Sequence, residues 1–76
     1  MRNPERPGTG DRLWRARRRH DRIDAVLGQR GRYWLLRFFR NGRLLLSRRH
    51  ETEALARAEA GARLKELQRA GWNTHW

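Results

Sequence analysis

Apolar and polar residues alternate along much of the first fifty positions, and this alternation predicts β-strands. The clearest strand is predicted at residues 32–40, which are rich in aromatic side chains. Residues 23–27 alternate as well, whereas residues 13–19 form a weaker candidate that could instead remain an extended basic arm. Asn41 and Gly42 predict a two-residue type I′ hairpin turn, because both residue types tolerate positive φ.

This turn sets the predicted pairing of the next strand, with Arg40 opposite Arg43 and Phe39 opposite Leu44. Residues two apart share a face of a sheet, so the hairpin divides into two sets. The first predicted set contains Trp34, Leu36, Phe38, Leu45 and Ser47. The second predicted set contains Tyr33, Leu35, Arg37, Phe39, Leu44, Leu46 and Arg48.

The C-terminal third predicts a helix at residues 53–70, which hold many alanines and few β-branched residues. Thr52 is expected to cap its N-terminus. Gly71 is expected just beyond its C-terminus, with Trp72 folding back on the last turn as in a Schellman motif.

These elements predict an α+β fold: a small antiparallel sheet of three to four strands with one C-terminal helix packed on one face. Residues 1–11 contain prolines and glycines and are expected to form a flexible basic arm. Residues 12–72 then form a single domain, followed by a short tail at residues 73–76.

A single helix can cover only one face of the sheet. We expect the helix to cover the face that carries Trp34, because the opposite arrangement would bury the Arg37 guanidinium in a thin core. The alternating apolar residues of positions 23–27 join the same side if Leu27 pairs near Arg32. The uncovered face should then expose aromatic, leucine and arginine side chains together, a patch that is unusual for a free monomer.

The charge of the chain is concentrated in its first two thirds. The 76 residues carry a net charge of +11. Residues 1–50 contain fifteen arginines against four acidic residues, which gives +11, whereas residues 51–76 contain four basic and four acidic residues. A charge excess confined to the predicted arm and sheet is typical of proteins that bind polyanions.

We therefore expect a small basic nucleic-acid-binding protein that contacts DNA, in preference to RNA, through the sheet face and the basic arm. Arginines would neutralise phosphates, Arg37 and Arg48 could reach base edges, and Tyr33 and Phe39 could stack on unpaired bases. The candidate contacts are Arg15, Arg17, Arg19, Arg30, Arg32, Tyr33, Arg37, Phe39, Arg43 and Arg48.

The order of strands, the Asn41-Gly42 hairpin and the helix opened by Thr52 resemble small sheet-plus-helix DNA-binding domains of the plant AP2 type. They are equally similar to the arm-binding N-terminal domains of phage tyrosine recombinases. The resemblance covers roughly residues 23–67 and implies a sheet that enters the major groove. Its implied contacts are Arg30, Arg32, Arg37, Arg43 and Arg48. If residues 13–19 add a fourth strand, the order also resembles single-strand-binding sheet proteins that dimerise.

The alternative hypothesis is a protein-interaction module, such as a small regulator, inhibitor or assembly subunit that could be encoded by a phage. Its apolar sheet face would mediate homodimerisation or docking on a protein partner, as the leucines on that face suggest. An enzyme is not expected, because His20, His50 and His75 are scattered and Ser47 has no recognisable base. No cofactor, metal site or membrane contact is expected. We expect a soluble, cytoplasmic protein.

Overall fold

The computed structural model describes residues 10–74, so most of the predicted arm and the end of the predicted tail lie outside the described residues. Four strands precede one helix: β1 (Asp11–Arg18), β2 (Asp21–Arg30), β3 (Tyr33–Arg40), β4 (Arg43–His50) and α1 (Glu53–Arg69). The strands form one antiparallel sheet in the order β1-β2-β3-β4, with α1 packed against it. The predicted α+β fold is therefore confirmed, and the weak first strand belongs to the sheet.

The hairpin between β3 and β4 has the predicted turn. Asn41 and Gly42 have φ values of 51° and 87°, as a type I′ turn requires. Arg40 pairs with Arg43 and Phe39 with Leu44, as predicted.

Beyond that point a β-bulge at Leu45 shifts the register, so that Phe38 pairs with Leu46 instead of Leu45. The predicted faces of Leu45, Leu46, Ser47 and Arg48 were therefore wrong, and Ser47 lies opposite Arg37 on the face turned away from the helix. The extra residue turns Leu46 toward α1, where it packs against the core, and leaves Leu45 57% exposed.

The hairpin between β2 and β3 is longer than predicted, because β2 continues to Arg30 and leaves a turn of Gly31 and Arg32. Leu27 pairs with Leu36, four residues away from the predicted partner region at Arg32. A shift by an even number of residues preserves the faces of a strand. The predicted assignment of Leu27 to the helix side is correct for that reason.

Helix α1 begins at the predicted residue and ends one residue earlier than predicted, with the predicted caps at both ends. The Thr52 hydroxyl accepts a hydrogen bond from the Leu55 amide at 3.1 Å. At the other end Gly71 has a φ of 96°, and the Trp72 amide donates to the Leu67 carbonyl at 2.9 Å. These are the contacts of a Schellman motif, which directs Trp72 back toward the sheet.

The core lies between α1 and one face of the sheet. Ala56 and Ala60 are almost fully buried and let the helix lie close to Leu36 and Phe38. Trp72 fills a second cluster with Ala16 and Ile23, at the β1 side of the sheet.

Strand β1 is tied to the rest of the fold by contacts that are distant in sequence. The Trp14 indole N–H donates to the Ala60 carbonyl at 3.0 Å, and the Trp14 ring packs beside Phe38. At the outer edge of β1, Arg17 and Asn73 exchange two backbone hydrogen bonds of 2.9 and 3.0 Å. The chain after the helix thus holds the edge strand in place.

We expect Trp14→Phe to lower the free energy of unfolding by about 1 to 2 kcal/mol, because it removes the hydrogen bond to Ala60 and part of the ring. Chemical denaturation measures this loss. Trp34→Phe makes the same change at another half-buried tryptophan and should cost less. Equal losses would show that the bond to Ala60 does not anchor β1.

Asp21 connects two turns at one end of the sheet. Its carboxylate accepts hydrogen bonds from Asn41 Nδ2 and Arg40 Nη2, both at 3.0 Å. These two contacts, with Asn41 the larger cause, lower the pKa of Asp21 below its ordinary value of 3.8. Because the pKa is lower in the folded chain, the ionised carboxylate stabilises the fold above that value, and the contribution is lost as pH falls through the folded pKa.

We expect Asp21→Asn to lower the melting temperature at pH 7, with a difference from the parent that shrinks below about pH 4. Thermal unfolding followed by circular dichroism at a series of pH values measures the difference. Glu51→Gln, which also removes one exposed carboxylate, should have a smaller effect at pH 7. A pH-independent difference for Asp21→Asn would contradict the proposed role of the ionised carboxylate.

Candidate nucleic-acid interface

The face of the sheet turned away from α1 carries the candidate site, and we call it the open face. Within residues 10–74 no helix or second sheet packs on it. Alternation along the paired strands assigns its residues. They are Arg12, Arg15, Arg17, Arg22, Asp24, Val26, Gly28, Arg30, Tyr33, Leu35, Arg37, Phe39, Leu44, Ser47 and Arg49.

The open face is strongly cationic. Its seven arginines are Arg12, Arg15, Arg17, Arg22, Arg30, Arg37 and Arg49. Asp24 is the one carboxylate among the open-face positions of the four strands. The seven arginines and one aspartate give this surface a net charge of +6 (7 − 1), more than half of the +11 of the chain, and such a surface creates a field that attracts polyanions.

Asp24 lies at the centre of an arginine cluster. The Arg15 guanidinium donates to both of its carboxylate oxygens, at 2.6 and 3.3 Å. Arg22 lies 3.7 Å and Arg12 lies 4.0 Å from the same carboxylate. The Asp24 side chain is 11% exposed, whereas those of the three arginines are 32% to 51% exposed. One buried carboxylate therefore orients several guanidinium groups that remain in contact with water.

Two other arginines lie over aromatic rings. The Arg49 guanidinium carbon is 4.3 Å from the centroid of the Tyr33 ring, and that of Arg37 is 5.6 Å from the Phe39 ring. Both distances are within the range of cation–π attraction. Burial, followed by the nearby charge of Arg30, lowers the pKa of Arg37 from its ordinary value. An arginine still keeps its charge at neutral pH.

The apolar part of the open face is less exposed than the sequence predicted. Val26 is buried, and Tyr33, Leu35 and Phe39 are half-buried. Leu44 is the exception, with 56% of its surface exposed. Long arginine side chains on this face can cover apolar surface with their methylene groups and keep the charge in water. The predicted mixed surface is present, but its leucine content was overestimated because Leu46 faces the helix.

Six of the ten predicted contact residues lie on the open face: Arg15, Arg17, Arg30, Tyr33, Arg37 and Phe39. Arg19 and Arg32 lie in the turns that begin and end β2. Arg43 is exposed at the hairpin end, opposite Arg40.

The predicted face of Arg48 was wrong. The bulge at Leu45 turns its side chain to the helix side, where Arg48 Nε lies 3.3 Å from a Glu59 carboxylate oxygen. The other oxygen of Glu59 lies 2.6 Å from Nε2 of His50, the last residue of β4. Arg48 therefore helps to connect β4 to α1 and does not face the candidate site.

Three open-face arginines were not among the predicted contacts. Arg22 could have been found, because simple alternation places it beside Asp24. Arg12 and Arg49 could not have been found in this way, because a bulge brings each of them to the open face. The bulge in β1 lies between Arg12 and Trp14, and the bulge in β4 lies at Leu45.

Comparisons with protein-family models, curated proteins and solved structures give no significant match for this chain. Within residues 10–74, no helix is long and apolar enough to cross a membrane.

Proposed function

We propose that the protein binds single-stranded nucleic acid, DNA in preference to RNA, through the open face of its sheet. The observation that carries the proposal is the arrangement of seven arginines, one carboxylate and two rings on the face that α1 leaves uncovered. Guanidinium groups are well suited to phosphate oxygens, and aromatic rings stack on unpaired bases of any sequence. The predicted contribution of the basic arm falls mostly on residues outside the described part of the chain.

The width of the sheet favours a single strand over a duplex. Neighbouring strands lie about 4.8 Å apart, so the outer strands of a four-stranded sheet are separated by about 14 Å before side chains are added. The major groove of B-DNA is about 12 Å wide and admits a helix or a two-stranded ribbon. The complete open face is therefore too broad to enter that groove, whereas a flexible single strand can lie across it. Groove binding of the AP2 type would require a narrower part of the sheet to act alone.

A second candidate function, docking on a protein partner, is favoured by the bulge in β4. Leu44 and Leu45 are 56% and 57% exposed, and they lie next to each other on an edge strand. Exposed leucines at a sheet edge are typical of surfaces that pair with another chain. The arginines of the open face would then meet an acidic surface of that partner.

Arg48 and Arg49 provide a matched pair of variants, because they are neighbours on β4 that face opposite sides of the sheet. We expect Arg49→Gln to weaken binding of an oligothymidylate about fivefold, since it removes a cation held over an open-face ring. Arg48→Gln removes the same charge from the helix side and should change the affinity less than about twofold, with a small loss of stability. Fluorescence anisotropy at fixed salt measures both affinities.

The salt dependence of the parent protein separates the two candidate functions. Contact with four to six phosphates of a single strand predicts a slope of roughly −3 to −4 when log K is plotted against log salt. An absence of binding to oligothymidylate at low salt would refute the proposal, and self-association that persists at high salt without such binding would support the second candidate. Equal effects of the two arginine substitutions would show that the open face is not the contact surface.

A further inference from the structure

The arginines of the open face are held in two different ways, according to the strand that carries them. On β1 and β2, Arg12, Arg15 and Arg22 are grouped around the Asp24 carboxylate. On β3 and β4, Arg37 and Arg49 are placed over the rings of Phe39 and Tyr33. The β1–β2 half and the β3–β4 half of the face therefore present guanidinium groups in different chemical settings.

The aromatic residues of the open face lie in only one of these two halves. Tyr33 and Phe39 both lie on β3, and the open-face positions of β1 and β2 hold no aromatic residue. Arg17, opposite Arg22, and Arg30, at the end of β2, extend the cationic row of the β1–β2 half in both directions. Charge thus dominates one half of the face, and rings with flanking cations dominate the other.

We infer that a bound single strand lies along the sheet with its phosphates over the β1–β2 half and its bases over the β3–β4 half. This inference rests on the proposed function and adds an orientation to it. A guanidinium whose edge is anchored on a carboxylate is fixed in place and can use its remaining N–H groups as donors to phosphate oxygens. A guanidinium over a ring can stack a base, as can the ring itself.

Asp24 acts as a positioning residue in this arrangement. Its short contact with Arg15, with Arg12 and Arg22 close by, leaves a cluster of three positive charges and one negative charge. The cluster remains cationic while the buried carboxylate limits the movement of the side chains. Such preorganisation reduces the entropy that is lost when a phosphate binds.

The spacing of the two halves suits one nucleic-acid strand. From β1 to β3 there are two strand intervals, or about 10 Å, across which each nucleotide would extend from phosphate to base. Along β3, Tyr33 and Phe39 are six residues and therefore about 20 Å apart. That length accommodates about six nucleotides at the stacked spacing of about 3.4 Å, and fewer in an extended strand.

The test compares two ligands of about twelve nucleotides, an oligothymidylate and an abasic oligomer with the same phosphates and no bases. Two double variants separate the halves: Arg12→Gln with Arg22→Gln, and Tyr33→Leu with Phe39→Leu. Arg57→Gln with Arg63→Gln, on α1, is the control that is matched in charge to the first. Circular dichroism confirms that each variant is folded, and anisotropy across a salt series gives the affinity and the salt slope.

We expect the arginine variant to lower the affinity for both ligands by the same factor. It should also reduce the magnitude of the salt slope by about 1.4, which is the effect of two lost phosphate contacts. The aromatic variant should weaken the binding of oligothymidylate about tenfold or more. It should change the affinity for the abasic ligand by less than about twofold and leave the salt slope unchanged. The α1 control should change neither affinity by more than about twofold.

Two results would overturn the orientation while leaving nucleic-acid binding in place. In the first, the aromatic variant loses as much affinity for the abasic ligand as for oligothymidylate. In the second, the arginine variant loses affinity for oligothymidylate only. If the parent protein binds neither ligand at low salt, the proposed function itself fails. The failure of the orientation and the failure of the function are therefore distinguishable.

Discussion

A four-stranded sheet has two faces, and residues 10–74 supply one helix to cover them. Ala56 and Ala60 bring that helix close to one face, where Leu36 and Phe38 complete a thin core. The other face cannot be equally apolar without a covering layer. Arginine suits such a face, because its methylene groups can cover apolar neighbours while its charge stays hydrated. The side chains that make an uncovered face compatible with water also give it the positive charge on which the proposed function rests.

The charges of the open face are ordered rather than merely numerous. Seven like charges on one small surface repel one another, and Asp24 relieves part of that repulsion in the β1–β2 half. Cation–π contacts with Tyr33 and Phe39 do the same for Arg49 and Arg37. Each device also fixes the position of a guanidinium. The fold thus supplies an array of oriented cations on one face of the sheet.

The sequence predicted the elements whose signals are local. Thr52, Gly71 and the Asn41-Gly42 turn each fix a helix end or a hairpin through backbone conformation and nearby hydrogen bonds. It did not predict the bulge at Leu45, because three successive leucines give no sign of which one leaves the alternation. The extra residue of this bulge reversed the faces of all later β4 positions, including Arg48. Strand β1 remained doubtful for a different reason: its anchors, Ala60 and Asn73, are distant in sequence.

The central claim is that the face opposite the helix is the contact surface for a single strand. Nuclear magnetic resonance of the complex with oligothymidylate tests it most directly, through chemical-shift changes of the strand residues and contacts between ring and base protons. The account predicts that shifts concentrate at open-face positions, with intermolecular proton contacts from Tyr33 and Phe39. Shifts concentrated on the exposed side of α1, or spread equally over both faces of the sheet, would contradict it.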